Sequence, residues 1–175
     1  MSTITHIAFD LGGVILTISK QQAVDRFLEI GFADAPTYLD DYEQKGIFGQ
    51  LESGEISAED FRVGLSRLAG REFTREQCAY AWQGYALDLP ERNLETLIQL
   101  RRHGLRLCLL SNTNPFMMEW VRSPRFDGHG HPIDHYFDSI YLSYLMRMMK
   151  PNSDIFREML RRENVPADRV LFVDD

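Results

Sequence analysis

The stretch Ile4-Thr5-His6-Ile7-Ala8-Phe9-Asp10-Leu11-Gly12-Gly13-Val14 decides how the rest of the chain is read. A short apolar run ends in a carboxylate, and two glycines follow at once. The run suits a buried strand, and the glycines allow a sharp turn or a close backbone approach. Asp10 therefore falls at the carboxyl end of a strand, where open α/β sheets place their ligands. What the remaining sequence brings to that carboxylate decides the function.

The 175 residues suit one ordinary domain, or a small core with an inserted module. With 44% hydrophobic and 26% charged residues, the composition is that of a soluble globular protein. A formal net charge of -7 argues against a general nucleic-acid or anionic-membrane surface, so an anionic ligand needs a focused local site. Cys78 and Cys108 lie in apolar contexts and read as reduced, buried thiols, which favours a cytoplasmic protein. No apolar run has membrane-spanning length, and the N-terminus lacks the basic-then-apolar signal pattern. The expected partner is a small molecule, with no nucleic acid and no membrane, and the expected assembly is a monomer or homodimer.

Taken in order, Val14 to Ile18 continues extended, and Ser19 caps a helix from about Lys20 to Ile30 that Gly31 stops. A second helix is expected over Ala35 to Lys45, with Pro36 in its first turn. Gly46, Gly49 and Gly54 break up the segment that follows. Ser57-Ala58-Glu59-Asp60 opens a helix to Ala69, and the capping box Thr74-Arg75-Glu76-Gln77 opens another to about Tyr85. From Lys20 to Leu87 the pattern is helical, with no strand expected.

Beyond Pro90 the register changes. A helix over Glu91 to His103 precedes the strand Leu105 to Leu110, a short helix to about Arg122 and a polar loop from Ser123 to His135. A third strand is expected over Asp138 to Ser143, a helix over Asn152 to Glu163, and a fourth strand over Arg169 to Val173. This alternation predicts an α/β fold, a Rossmann-like doubly wound parallel sheet with an inserted α-helical cap. The expected division is a catalytic core of residues 1–18 and 88–175, and a cap of residues 19–87. The chain stops at Asp174-Asp175 as its fourth strand ends, where a parallel sheet normally adds a covering helix. The expectation is a truncated form.

Polar groups then fall at strand ends or just beyond them: Asp10, Ser111-Asn112, Lys150 and Asp174-Asp175. In a parallel sheet these ends share one edge. The set resembles the haloacid dehalogenase-like hydrolase superfamily, mostly phosphatases with an aspartate nucleophile. Its motifs stand here as Phe9-Asp10-Leu11-Gly12-Gly13-Val14, Leu109-Leu110-Ser111-Asn112-Thr113, Lys150-Pro151 and Leu171-Phe172-Val173-Asp174-Asp175, in the family's order.

The resemblance implies a Mg²⁺-dependent phosphatase of small phosphorylated metabolites. Asp10 would attack phosphorus and form an acyl phosphate, splitting one difficult step into two. Asp10, Asp175 and the Gly12 carbonyl would hold the metal, with Asp174 close by. Ser111, Asn112 and Lys150 would bind the phosphoryl group, Lys150 also stabilising charge on Asp10. A hard cation is needed to bring two anions together.

At Gly12 the chain departs from the pattern. Most phosphatases of the superfamily carry there a second aspartate that acts as general acid and base. A glycine resembles instead the bacterial α-glucose-1-phosphate phosphatase-like branch, which points to sugar phosphates. The similarity extends to Glu52-Ser53-Gly54-Glu55-Ile56-Ser57. Losing an acid-base group costs a factor of about 10² to 10⁴. The enzyme would then favour good leaving groups or borrow another acid, for which Glu52 and Glu55 are candidates and solvated surface charge the plainer reading. Two alternatives remain at this point: a sugar-phosphate-binding or regulatory protein with little turnover, and a phosphotransferase or mutase. His129, His131 and His135 with Asp127 and Asp134 read as a solvated loop rather than a metal site. Trp82, Tyr80 and Tyr85 read as cap core.

Overall fold

The computed structural model describes residues 3–40 and 44–175. Strand β1 (His6–Phe9) leads into a tight loop, where the Ile15 and Leu16 N–H groups both donate to the Leu11 carbonyl. After the two-residue strand β2 (Thr17–Ile18) the chain enters a helical insert. Helix α1 (Lys20–Glu29) is capped by Ser19, whose hydroxyl accepts from the Gln22 N–H, and it buries Ala23, Val24 and Phe27. Helices α2 (Ala35–Tyr38), α3 (Ile47–Ser53), α4 (Ala58–Ala69) and α5 (Arg75–Trp82) follow. Capping boxes at Ser57 and Thr74 start α4 and α5 as the sequence predicts. The insert closes with β3 (Ala86–Asp88), which pairs antiparallel with β2.

The second half alternates. Helix α6 (Glu91–Arg102), β4 (Arg106–Ser111), α7 (Pro115–Val121), β5 (Ser139–Leu142), the short α8 (Ser143–Met146), α9 (Ser153–Glu163) and β6 (Val170–Val173) follow in turn. The sheet order is β5-β4-β1-β6, with every pairing parallel. The chain moves outward from β1 through β4 to β5, then returns to β6 on the other side of β1. This reversal opens a crevice beyond the carboxyl ends of β1 and β6. Register does the rest: Phe9 lies opposite both Leu109 and Val173, so Asp10 and Asp174 leave the sheet at one level.

Alternation along the strands serves two faces. Ile7, Phe9, Leu107 and Leu109 pack under Leu94, Leu97, Met118 and Phe137, whereas Ala8, Cys108 and Leu110 meet Tyr141, Ile155 and Met159. The insert has its own aromatic core of Phe27, Phe32, Phe48, Phe61 and Trp82. Phe116 of α7 joins that cluster and ties the insert to the sheet. Both cysteines are buried and free, and no helix among the described residues is long and apolar enough to cross a membrane.

Four local expectations are corrected. Residues 14–18 turn before they extend. The second helix ends at Tyr38, because Leu39 takes an extended backbone (φ −94°, ψ 126°); residues 41–43 of its expected span lie outside the described residues. The glycine-rich segment is helical as α3, because fully buried Phe48 and Leu51 outweigh the propensity cost of Gly49. A strand does occur before residue 88: β3 is three residues long, too short for its alternation to show.

Phe48 should dominate the insert's stability, with ring centroids 4.9 Å from Phe61, 5.1 Å from Phe27 and 5.4 Å from Trp82. Phe48→Ala is expected to destabilise the chain by about 3–5 kcal/mol in urea denaturation. A loss under 1 kcal/mol would show that this cluster is not the core it resembles.

Candidate active site

Where β1 ends, the Asp10 N–H still continues the sheet by donating to the Val173 carbonyl at 2.9 Å. Its side chain turns into a crevice and accepts from the Leu11 N–H at 2.7 Å. Lys150 Nζ stands 2.9 Å from Asp10 Oδ2 and 2.9 Å from Asp174 Oδ1, so one ammonium bridges two carboxylates. Asp10, Asp174 and Asp175 each present an oxygen within 4.8 Å of the others, the only such acidic group of three among the described residues. Gly13 makes the approach of Asp175 possible: at φ +73° it lies in the left-handed region, and a Cβ there would sit 2.1 Å from Asp175 Oδ2.

Ser111, the last residue of β4, is buried; its hydroxyl donates to the Asn112 carbonyl at 3.4 Å and stands near enough to Asp10 to favour that carboxylate's charged form. Asn112, expected on the ligand, is instead clamped to a backbone. Its Nδ2 donates to the Lys150 carbonyl at 2.9 Å and its Oδ1 accepts from the Lys150 N–H at 2.9 Å. With its side chain spent both ways, Asn112 sets where Lys150 stands. Asn114 caps α7, accepting from the Phe116 and Met117 N–H groups. Gly12 has no side chain to offer, and a Cβ there would come within 3.3 Å of Ile18 Cγ2.

These groups line a cavity of about 430 Å³, a size usual for small-molecule sites. Leu16, Ile18, Trp82, Tyr85 and Met117 supply an apolar wall. Trp82 and Tyr85 thus serve the insert's core and the cavity together, where the sequence reading gave them the core alone. Glu52 of α3 also lines the cavity, whereas Glu55 does not. The His-rich loop folds around Asp127, whose carboxylate accepts from the N–H groups of His129 and His131 and from the Tyr136 hydroxyl. It joins no group of metal-holding geometry among the described residues.

Electrostatics follow from burial. Loss of water raises the Asp10 pKa, and Lys150, Ser111 and the Leu11 N–H oppose that rise. Loss of water also lifts the Glu52 carboxyl to about 7; the Asp10 charge adds to this and a hydrogen bond from Asn114 opposes it. The excess of carboxylates over one lysine, all hard oxygen donors, fits a small divalent cation of the Mg²⁺ kind.

Comparison with known proteins gives the family and the fold. A family model described as haloacid dehalogenase-like hydrolase matches residues 4–175. A D-ribitol-5-phosphate phosphatase from Bacteroides thetaiotaomicron is 45% identical over 98% of this chain and 83% of its own length. The structure of a predicted HAD-like family hydrolase from Porphyromonas gingivalis superposes with a TM-score of 0.93 at 40% identity, covering 99% of this chain and 83% of that one. A HAD family enzyme from Bacteroides thetaiotaomicron, in complex with magnesium and inorganic phosphate, superposes at 0.86 with 31% identity over 98% of this chain and 85% of that one.

Glu52 gives a pH prediction. A carboxyl that binds its proton more tightly when folded stabilises the fold below its ordinary pKa of 4.5 and loses that stability as pH rises through about 7. In metal-free buffer Glu52→Gln should therefore gain on the parent chain between pH 5 and pH 8, by on the order of 1–3 kcal/mol once residual water access is allowed for. Melting curves across that range check it, and a gap that does not change with pH refutes it.

Proposed function

The chain belongs to the haloacid dehalogenase-like hydrolase family, and on that premise we propose that it hydrolyses phosphate esters of small polyols or sugars, with Asp10 as the nucleophile. The observation that carries this reading is the placement of Lys150 Nζ, 2.9 Å from both Asp10 and Asp174, beside Asp175 in the cavity. A single ammonium among three carboxylates suits a site for phosphate and metal, since phosphoryl transfer asks for charge neutralisation above all.

In this reading Asp10, Asp174, Asp175 and the Gly12 carbonyl would hold Mg²⁺, which would supply charge neutralisation for the phosphoryl oxygens. Asp10 attacks phosphorus to give an aspartyl phosphate, which water then hydrolyses. Lys150 holds the charge on the transferring group and on Asp10. Ser111 orients the Asp10 carboxylate, and Asn112 keeps Lys150 in place through its backbone. Residues 19–87 act as a cap over residues 1–18 and 88–175, excluding water and shaping the substrate's far end. The polyol or sugar class is supported by the 45% identical ribitol-phosphate phosphatase and by the cavity's volume.

Magnesium-supplemented protein should release phosphate from p-nitrophenyl phosphate and from pentitol or pentose phosphates, and EDTA should stop it reversibly. Asp10→Asn should abolish release while the fold persists. Binding without release would favour the regulatory alternative, and phosphate reappearing on a second hydroxyl would favour the mutase. An unchanged rate in Asp10→Asn would sink the aspartyl-phosphate route.

A further inference from the structure

An alkyl phosphate leaves as an alkoxide, which needs a proton as its bond to phosphorus breaks. Position 12 has no side chain to supply one, and Ile18 stands against its Cα. The other titratable groups lining the cavity are Asp10, Tyr85, Lys150, Asp174, Asp175 and Glu52. Asp10 attacks, and Lys150 bridges Asp10 to Asp174. Asp175 lies over Gly13 in the cation cluster. The Tyr85 hydroxyl donates to Gln44 Oε1 at 3.1 Å.

We propose that Glu52, carried into the cavity on α3, is the proton donor and acceptor of the reaction. This rests on the phosphatase reading above. Two backbone contacts fix the end of α3 at the cavity, and Asn114 stands beside the Glu52 side chain. The buried Ser143 hydroxyl donates to the Glu52 carbonyl at 2.6 Å and accepts from the Thr113 N–H at 3.0 Å, which joins α3 to the loop beside Ser111. Gly54 ends α3 at φ +75°, so close to the Tyr144 carbonyl that a Cβ would lie 2.2 Å from its oxygen. The Asn114 amide has its oxygen taken by two backbone N–H groups, and its side chain stands near enough to the Glu52 carboxyl to hold its proton affinity down. A half-buried carboxyl in the cavity wall, its proton held toward neutrality, is suited to give up that proton and take it back.

The steps balance. An Asp10 oxygen forms a bond to phosphorus, the ester P–O bond breaks, and the departing oxygen takes the Glu52 proton, so the alcohol leaves neutral. Glu52, now a carboxylate, takes a proton from water as that oxygen attacks phosphorus. The Asp10–phosphorus bond breaks, phosphate leaves, and both carboxyl groups return to their starting states.

The test separates leaving groups that need a proton from those that do not. With full-length protein and Mg²⁺, transient kinetics would compare p-nitrophenyl phosphate with a pentitol phosphate in the parent chain and in Glu52→Gln. Phosphorylation of Asp10 by the alkyl ester should fall by about 10² to 10⁴, while the p-nitrophenolate burst changes by about tenfold or less. The variant should then accumulate phosphate on Asp10, seen in acid-quenched mass spectrometry, because the second step also lacks its base. Equal losses on both esters, or no loss, overturn the proposal. If Glu52→Gln does not fold, Glu52→Asp is judged by the same selective loss on the alkyl ester. A parent chain that releases no p-nitrophenolate overturns the phosphatase reading itself, and this proposal with it.

Discussion

One ammonium between carboxylates is the contact on which the molecule depends. Two unit charges 4.8 Å apart repel by roughly 3 kcal/mol at an effective dielectric of 20, so Asp10, Asp174 and Asp175 would not gather unaided. Lys150 offsets part of that repulsion, and only if it is held where it stands. The Asn112 side chain does this with two hydrogen bonds to the Lys150 backbone. The register of β1 against β4 and β6 brings the strand ends level, and Gly13 leaves room for Asp175. What repulsion remains is the driving force for taking up a cation.

The insert is joined to this site rather than merely placed over it. Phe116, two residues beyond the Asn114 cap, belongs to the insert's aromatic core. The Ser143 hydroxyl bonds the insert at Glu52 and the core at Thr113. A motion that lifted α3 would break the Ser143–Glu52 bond and withdraw Glu52 from the cavity. In this arrangement the insert's position and the cavity's proton supply are one variable.

The sequence carried the fold well because its signals were local and strong. Leu105 to Leu110 and Val170 to Val173 are apolar runs bounded by turns, and Ser57 and Thr74 carry complete capping boxes. The convergence of Asp10, Ser111, Lys150 and Asp174-Asp175 followed from strand ends sharing an edge. Tertiary effects were invisible. Helix α3 exists because Phe48 and Leu51 are buried, against three glycines that locally argue otherwise. Asn112 looks like a ligand group until its partner, 38 residues away, is seen to occupy it. Glu52 was legible as a candidate, but its place in the cavity wall near Asn114 depends on contacts that no short stretch of sequence encodes.

Ile18 gives Gly12 a historical meaning. The side chain crowding position 12 belongs to β2, the strand through which the chain enters the helical insert. A lineage placing a carboxylate at position 12 would need the Ile18 side chain to give by a few tenths of an ångström, at the point where the chain enters the insert. Residues 12 and 18 are therefore coupled in one direction: a side chain at 12 asks Ile18 to move, whereas Ile18 can change while the glycine stays. What stands two residues beyond Asp10 and how the chain enters the insert are thus read from one contact, which ties the loop after β1 to the doorway of the helices.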